Sequence, residues 1–123
     1  MKPKAAFPKS ERLCSKKNIE ALFEGHGRSL SAFPLRGVFS PTENAEATQV
    51  LVSVSKRHFK HAVDRNRIKR QIREAWRLNR DILISPTPLH IAFIWLSDEH
   101  FSSEIVHRKM RNLLHRMTEA SAQ

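Results

Sequence analysis

The segment that most restricts the fold is AVDRNRIKRQIREAWRLNR, residues 62–80. Wound as a helix at about 100° per residue, it gathers Asn66, Lys69, Arg70, Arg73, Arg77 and Arg80 into roughly a third of the circumference. Ile68, Ile72, Ala75 and Trp76 fall on the opposite side, where they can dock on a sheet. Like charges at i,i+4, as in Lys69 with Arg73 and Arg73 with Arg77, repel one another. A partner explains such a stripe better than helix stability does.

The flanking segments supply the sheet. TQVLVSVS (48–55) reads as a strand with Val50, Val52 and Val54 on one face and the smaller Leu51, Ser53 and Ser55 on the other. LHIAFIWL (89–96), after the SPTP break, is almost wholly apolar, as in a strand covered on both faces. AFPLRGVF (32–39) reads as a further strand, with Pro34 calling for an edge or irregular position, and PTENAEA (41–47) as a turn. Ser15 is a cap for a short helix over about residues 16–24 that carries Ile19, Leu22 and Phe23 on one side and ends at Gly25 and Gly27. Ser97 or Ser102 can start a last helix with Val106, Met110, Leu113, Leu114 and Met117 as its apolar stripe. Residues 1–11 read as an extended, partly disordered arm. The expectation is α+β: a single-domain α-β-β-α-β-α sandwich of helices on a small sheet, spanning 1–123.

Charge narrows the partner. Residues 56–80 hold ten Lys or Arg against Asp64 and Glu74, a net of +8 in a chain whose total is +10. Such concentration implies a polyanion, either nucleic acid or an anionic membrane surface. A membrane-surface helix would need a free apolar face, whereas this one is committed to a core, so nucleic acid is the favoured partner. No apolar run approaches the about 18 to 20 residues that span a bilayer, and the basic N-terminus lacks the apolar region of a secretory signal. The single cysteine, Cys14, cannot form an internal disulfide, which suits a reducing, cytoplasmic setting.

The chain offers little chemistry of its own. A protein nuclease needs clustered carboxylates for metals or a His pair for acid–base work. Asp98-Glu99-His100 is the only local acid–histidine cluster, and it reads as the acidic start of the last helix. His58 and His61 lack a nearby Cys or acid to complete a ligand set, Cys14 lacks a base, and Trp76 and Trp95 read as core. No catalytic residue, protein-held metal, organic cofactor or obligate protein partner is expected.

The basic segment also resembles a known family. SVSKRHFKHAVDRNRIKRQIREAWR (53–77) is similar to the signature of the bacterial ribonuclease P protein component, with Arg65-Asn66-Arg67 at its core. The likeness extends to FPKSERLCSKKNIEALFEGHG near the N-terminus, with Ile19 where members often carry an aromatic. It implies a ribonuclease P protein fold, related to the second domain of a small-subunit ribosomal protein. It also implies a role in a ribonucleoprotein that removes the 5′ leader from precursor tRNA. In that family a large RNA subunit performs the hydrolysis with Mg²⁺, while the protein grips the leader between its first helix and the sheet. By matching position, Lys56, Arg57, Lys60, Arg65, Asn66, Arg67, Lys69, Arg70, Arg73 and Arg77 would contact RNA. Phe23, Ser53 and Ser55 would line the leader cleft. The alternatives are a ribosomal or ribosome-assembly RNA-binding protein and a DNA-binding regulator with its helix in a major groove.

Overall fold

The computed structural model describes residues 11–42 and 47–122. The arm expected at 1–11 falls almost wholly outside them, as does most of the turn expected at 41–47. The elements are α1 (Lys16–Ala21), β1 (Arg28–Ala32), β2 (Leu35–Pro41), β3 (Gln49–Ser53), α2 (Ala62–Asn79), β4 (Leu89–Trp95) and α3 (Ser103–Ser121). The sheet runs β1-β2-β4-β3, antiparallel except for the parallel β3–β4 pair. The α+β class therefore stands, with one strand more than expected.

The added strand corrects the reading of 32–39. Phe33 and Pro34 form the turn of a β1–β2 hairpin, with a cis peptide between them, and do not lie inside a strand. Proline has no N–H to give a ladder, so the turn accommodates it where a strand would not. β1 is weakly marked in the sequence because RSLSA offers only Leu30 and Ala32 as apolar residues; both pack against the core from an edge strand paired with β2.

The sheet's inner face carries Leu35, Phe39, Val50, Val52, Ile91, Phe93 and Trp95 against α2 and α3. Helix α2 buries Ile68, Ile72, Ala75 and Trp76, and α3 buries Val106, Met110, Leu113, Leu114 and Met117. Each large apolar side chain taken out of water contributes about 1.5 to 3 kcal/mol. β4 is buried at six of seven positions because strands flank it on both edges and helices or apolar side chains cover both faces. Helix α3 crosses β2 closely: a Cβ added at Gly37 would lie 2.3 Å from the Met117 Cε.

On the outer face, Leu13, Ile19 and Leu22 pack over Val38 and Ala92. Ser15 caps α1 by accepting the Asn18 N–H, and a π-type turn over Leu22–His26 carries the helix to Gly27. The segment before α1 crosses the free edge of β3, where Leu13 N–H donates to the Val50 carbonyl at 2.9 Å. One end of the expected arm is thus anchored: Glu11 accepts from Arg80 Nη1 at 2.6 Å, with both side chains 18% exposed.

Candidate nucleic-acid interface

Docking α2 through its apolar side turns the opposite side outward, so the helix presents charge as a consequence of how it packs. Asn66, Arg67, Arg70 and Arg73 are exposed and Lys69 is half-buried; none of these takes a side-chain partner among the described residues. Exposed Lys56, Arg57 and Lys60 precede the helix. Two shallow concavities meet at Arg73. One is lined by Asn66, Arg70, Glu74 and Arg77, the other by Arg12, Leu13, Cys14 and Val50–Val52. Arg12 thus faces the same groove from the β3 edge, and nothing in the charge count of 56–80 pointed to it.

Two members of the expected stripe are compensated. Arg77 donates from Nε to Glu74 at 3.0 Å and from Nη2 to the other carboxylate oxygen, a two-point clasp. That hydrogen bond holds the Glu74 carboxyl below its usual range and raises Arg77, so both are charged at neutral pH. Arg80 is held by Glu11. Arg65 turns back on the preceding loop, where its Nη1 donates to the carbonyls of Phe59 and Lys60, each at 2.8 Å.

The residues assigned to a leader cleft are not all brought together. Ser53 lies on the outer face in a row across the sheet with Ile94, Arg36 and Ser31. Ser53 and Ile94 are half-buried, and Arg36 is exposed and donates to Ser29 Oγ at 2.7 Å. Ser55 lies beyond the end of β3, and its hydroxyl accepts the Arg57 N–H at 3.0 Å. Phe23 is 48% exposed, so it is not a core residue. The turn that carries it packs on β2, which β4 separates from β3. Phe23 and Ser53 therefore share the outer side but are not neighbours across one groove.

Asp98-Glu99-His100 does not start a helix, because Ser102 is the cap and the cluster precedes it. Asp98 Oδ1 meets His58 Nδ1 at 2.6 Å, and His100 Nε2 meets Asp64 Oδ1 at 3.2 Å. The acid partner that His58 lacked in the sequence comes from 40 residues away. Trp76 and Trp95 are buried, Cys14 is exposed, and among the described residues no three His, Cys, Asp or Glu side chains converge to hold a metal. No described helix is long and apolar enough to cross a membrane.

Comparison with known proteins places this arrangement among close relatives. The sequence profile of the family described as Ribonuclease P matches residues 7–118. A ribonuclease P protein component of Porphyromonas gingivalis is 39% identical over 116 residues, covering 89% of this chain and 84% of that protein. One from Chlorobaculum tepidum is 41% identical over 83 residues, covering 63% of this chain and 53% of that protein. Among solved structures, the RNase P protein from Thermotoga maritima superposes with a TM-score of 0.72 at 25% identity, over 86% of this chain and 96% of that one. The Staphylococcus aureus RNase P protein shares the fold with a TM-score of 0.74 at 18% identity, over 92% of this chain and 99% of that one.

Proposed function

This chain belongs to the ribonuclease P protein family, and from that premise we propose that it helps a catalytic RNA remove the 5′ leader of precursor tRNA. Membership makes it a component of an endoribonuclease holoenzyme that works in tRNA processing and associates with ribonuclease P RNA. In this reading the RNA subunit and the Mg²⁺ it binds perform the hydrolysis, and the protein supplies binding and orientation. The observation that supports it most is the run of exposed cations without a partner among the described residues, Lys56, Arg57 and Lys60 on the leading loop and Arg67, Arg70 and Arg73 on α2. Cations held on a docked helix meet phosphates without first losing an intramolecular partner.

The leader follows the outer sheet face. Ser53 and Ile94 leave it a shallow, half-open row beside Arg36, and exposed Phe23 offers a ring on which an unpaired base can stack. Neighbouring Leu51 is also half-buried and gives that row an apolar floor.

The test is cleavage of a precursor tRNA by a bacterial ribonuclease P RNA at low Mg²⁺, with and without this protein. Stimulation of correct 5′ cleavage is expected, with no cleavage by the protein alone at any Mg²⁺ concentration. An unchanged rate would favour a ribosomal RNA-binding role. Specific 5′ cleavage by RNA-free protein would overturn the assignment of the chemistry to RNA.

A further inference from the structure

The loop between β3 and α2 presents Lys56, Arg57 and Lys60, yet its backbone is fixed at several points. The Ser55 carbonyl accepts the N–H groups of His58 and Phe59 at 3.1 and 3.3 Å. Arg65 clasps the carbonyls of Phe59 and Lys60 from the helix side. Phe59 is buried, and its ring centroid lies 4.8 Å from that of His100. Finally, two reciprocal pairs join this loop and the start of α2 to the loop after β4. One side gives the ring of His58 and the carboxylate of Asp64; the other gives the carboxylate of Asp98 and the ring of His100.

Asp98 is the odd member of this set. A carboxylate tethered to the loop that carries three exposed cations lowers the positive potential that attracts phosphate, so by charge alone it opposes RNA binding. Its neighbour Glu99 is also exposed, but the Glu99 side chain has no partner among the described residues. Only Asp98 is tethered, at 2.6 Å, to a residue of the cationic loop. We propose that Asp98 is a positioning residue for RNA: acting through His58, it holds the 55–61 loop in the shape that presents Lys56, Arg57 and Lys60 to phosphates. A loop ordered beforehand loses less conformational freedom when RNA arrives, and that gain outweighs one unfavourable charge. The inference rests on the RNA-binding reading above.

The experiment compares Asp98→Asn with Glu99→Gln in the full chain, titrated against a bacterial ribonuclease P RNA transcript at fixed salt. Each variant removes one negative charge at adjacent positions, so electrostatics alone strengthens both. We expect Glu99→Gln to bind as well as the unaltered protein or up to about threefold tighter. Asp98→Asn should bind about three- to tenfold weaker, with most affinity restored by Asp98→Glu. His58→Gln cuts the same tether from the other end, so adding Asp98→Asn to it should cost little more. Tighter or equal binding by Asp98→Asn would overturn the inference, as would additive losses in the double variant. So would a loss of affinity that tracks a fall in melting temperature. Failure of the unaltered protein to bind the transcript would overturn the RNA-binding reading together with this one.

Discussion

Glu74 lies within the cationic face and clasps one of its arginines, so removing its charge should strengthen RNA binding in a calculable way. Six exposed Lys and Arg side chains, without a partner among the described residues, surround the outer face of α2 and its leading loop. If each meets one phosphate, log K should fall with log[salt] at a slope of about −4 for single-stranded RNA and about −5 for a duplex. Arg77 does not count among the six because Glu74 neutralises it. Glu74→Gln keeps the shape of the side chain and removes the carboxylate charge that neutralises Arg77, whose positive charge can then count toward a seventh phosphate. The slope should steepen by about 0.7 to 0.9, which is about fourfold to fivefold in affinity at 0.15 M salt and about tenfold at 0.05 M. Arg77→Gln alone should leave the slope unaltered. The assay is RNA binding by fluorescence anisotropy at pH 7 from about 0.05 to 0.5 M monovalent salt, the range over which counterion release is resolved. Folding should change little, because a half-exposed i,i+3 pair on a helix surface contributes little to stability. A slope and affinity untouched by Glu74→Gln would refute the claim that RNA lies along this face.

Other perturbations test the frame and the cleft. Gly37→Ala brings a Cβ to within 2.3 Å of Met117 Cε, the far end of a flexible side chain, so urea unfolding should show a loss of only about 1 kcal/mol, and Met117→Ala, which costs about 2 to 5 kcal/mol by itself, should cost less in the Gly37→Ala background. Additive losses in the double variant would mean that α3 does not press on β2 there. Phe23→Ala should hardly move the melting temperature, since the ring is 48% exposed, whereas it should weaken holoenzyme binding of leader-bearing precursor by about 1 to 3 kcal/mol. Equal weakening for mature tRNA would remove Phe23 from the leader path. Burial pushes the His90 pKa down, so the fold favours its neutral ring. That stability is fully present above the unfolded value of about 6.5 and is lost as pH falls below it. Melting temperatures between about pH 7.5 and 5 should therefore drop less for His90→Gln than for the unaltered protein, and parallel curves would show that His90 is not the group concerned.

The parts of this protein legible in the sequence are those governed by local periodicity. The buried sets of α2 and α3 match the expected stripes residue for residue, because a 3.6-residue repeat of large apolar side chains has one way to leave water. β3 and β4 announced themselves by alternation and by unbroken apolarity. The Glu74–Arg77 clasp was also within reach, at i,i+3 on a recognised helix, but a stripe read only for its cations passes over it. Other features depended on long-range assembly. β1 has only Leu30 and Ala32 for an apolar face, too short a pattern to mark a strand, and is placed as an edge by its pairing with β2. Glu11 meets Arg80 across 69 residues, and Asp98 meets His58 across 40, distances over which one sequence holds no record of contact. The expected stripe is consequently shorter in the folded protein than on the helical wheel, and Phe23 is separated from Ser53 by the order of the strands. The local code determined which face of α2 is charged. Tertiary structure decided which charges remain unpaired for a partner, because neutralisation depends on what the rest of the chain brings within a few ångströms.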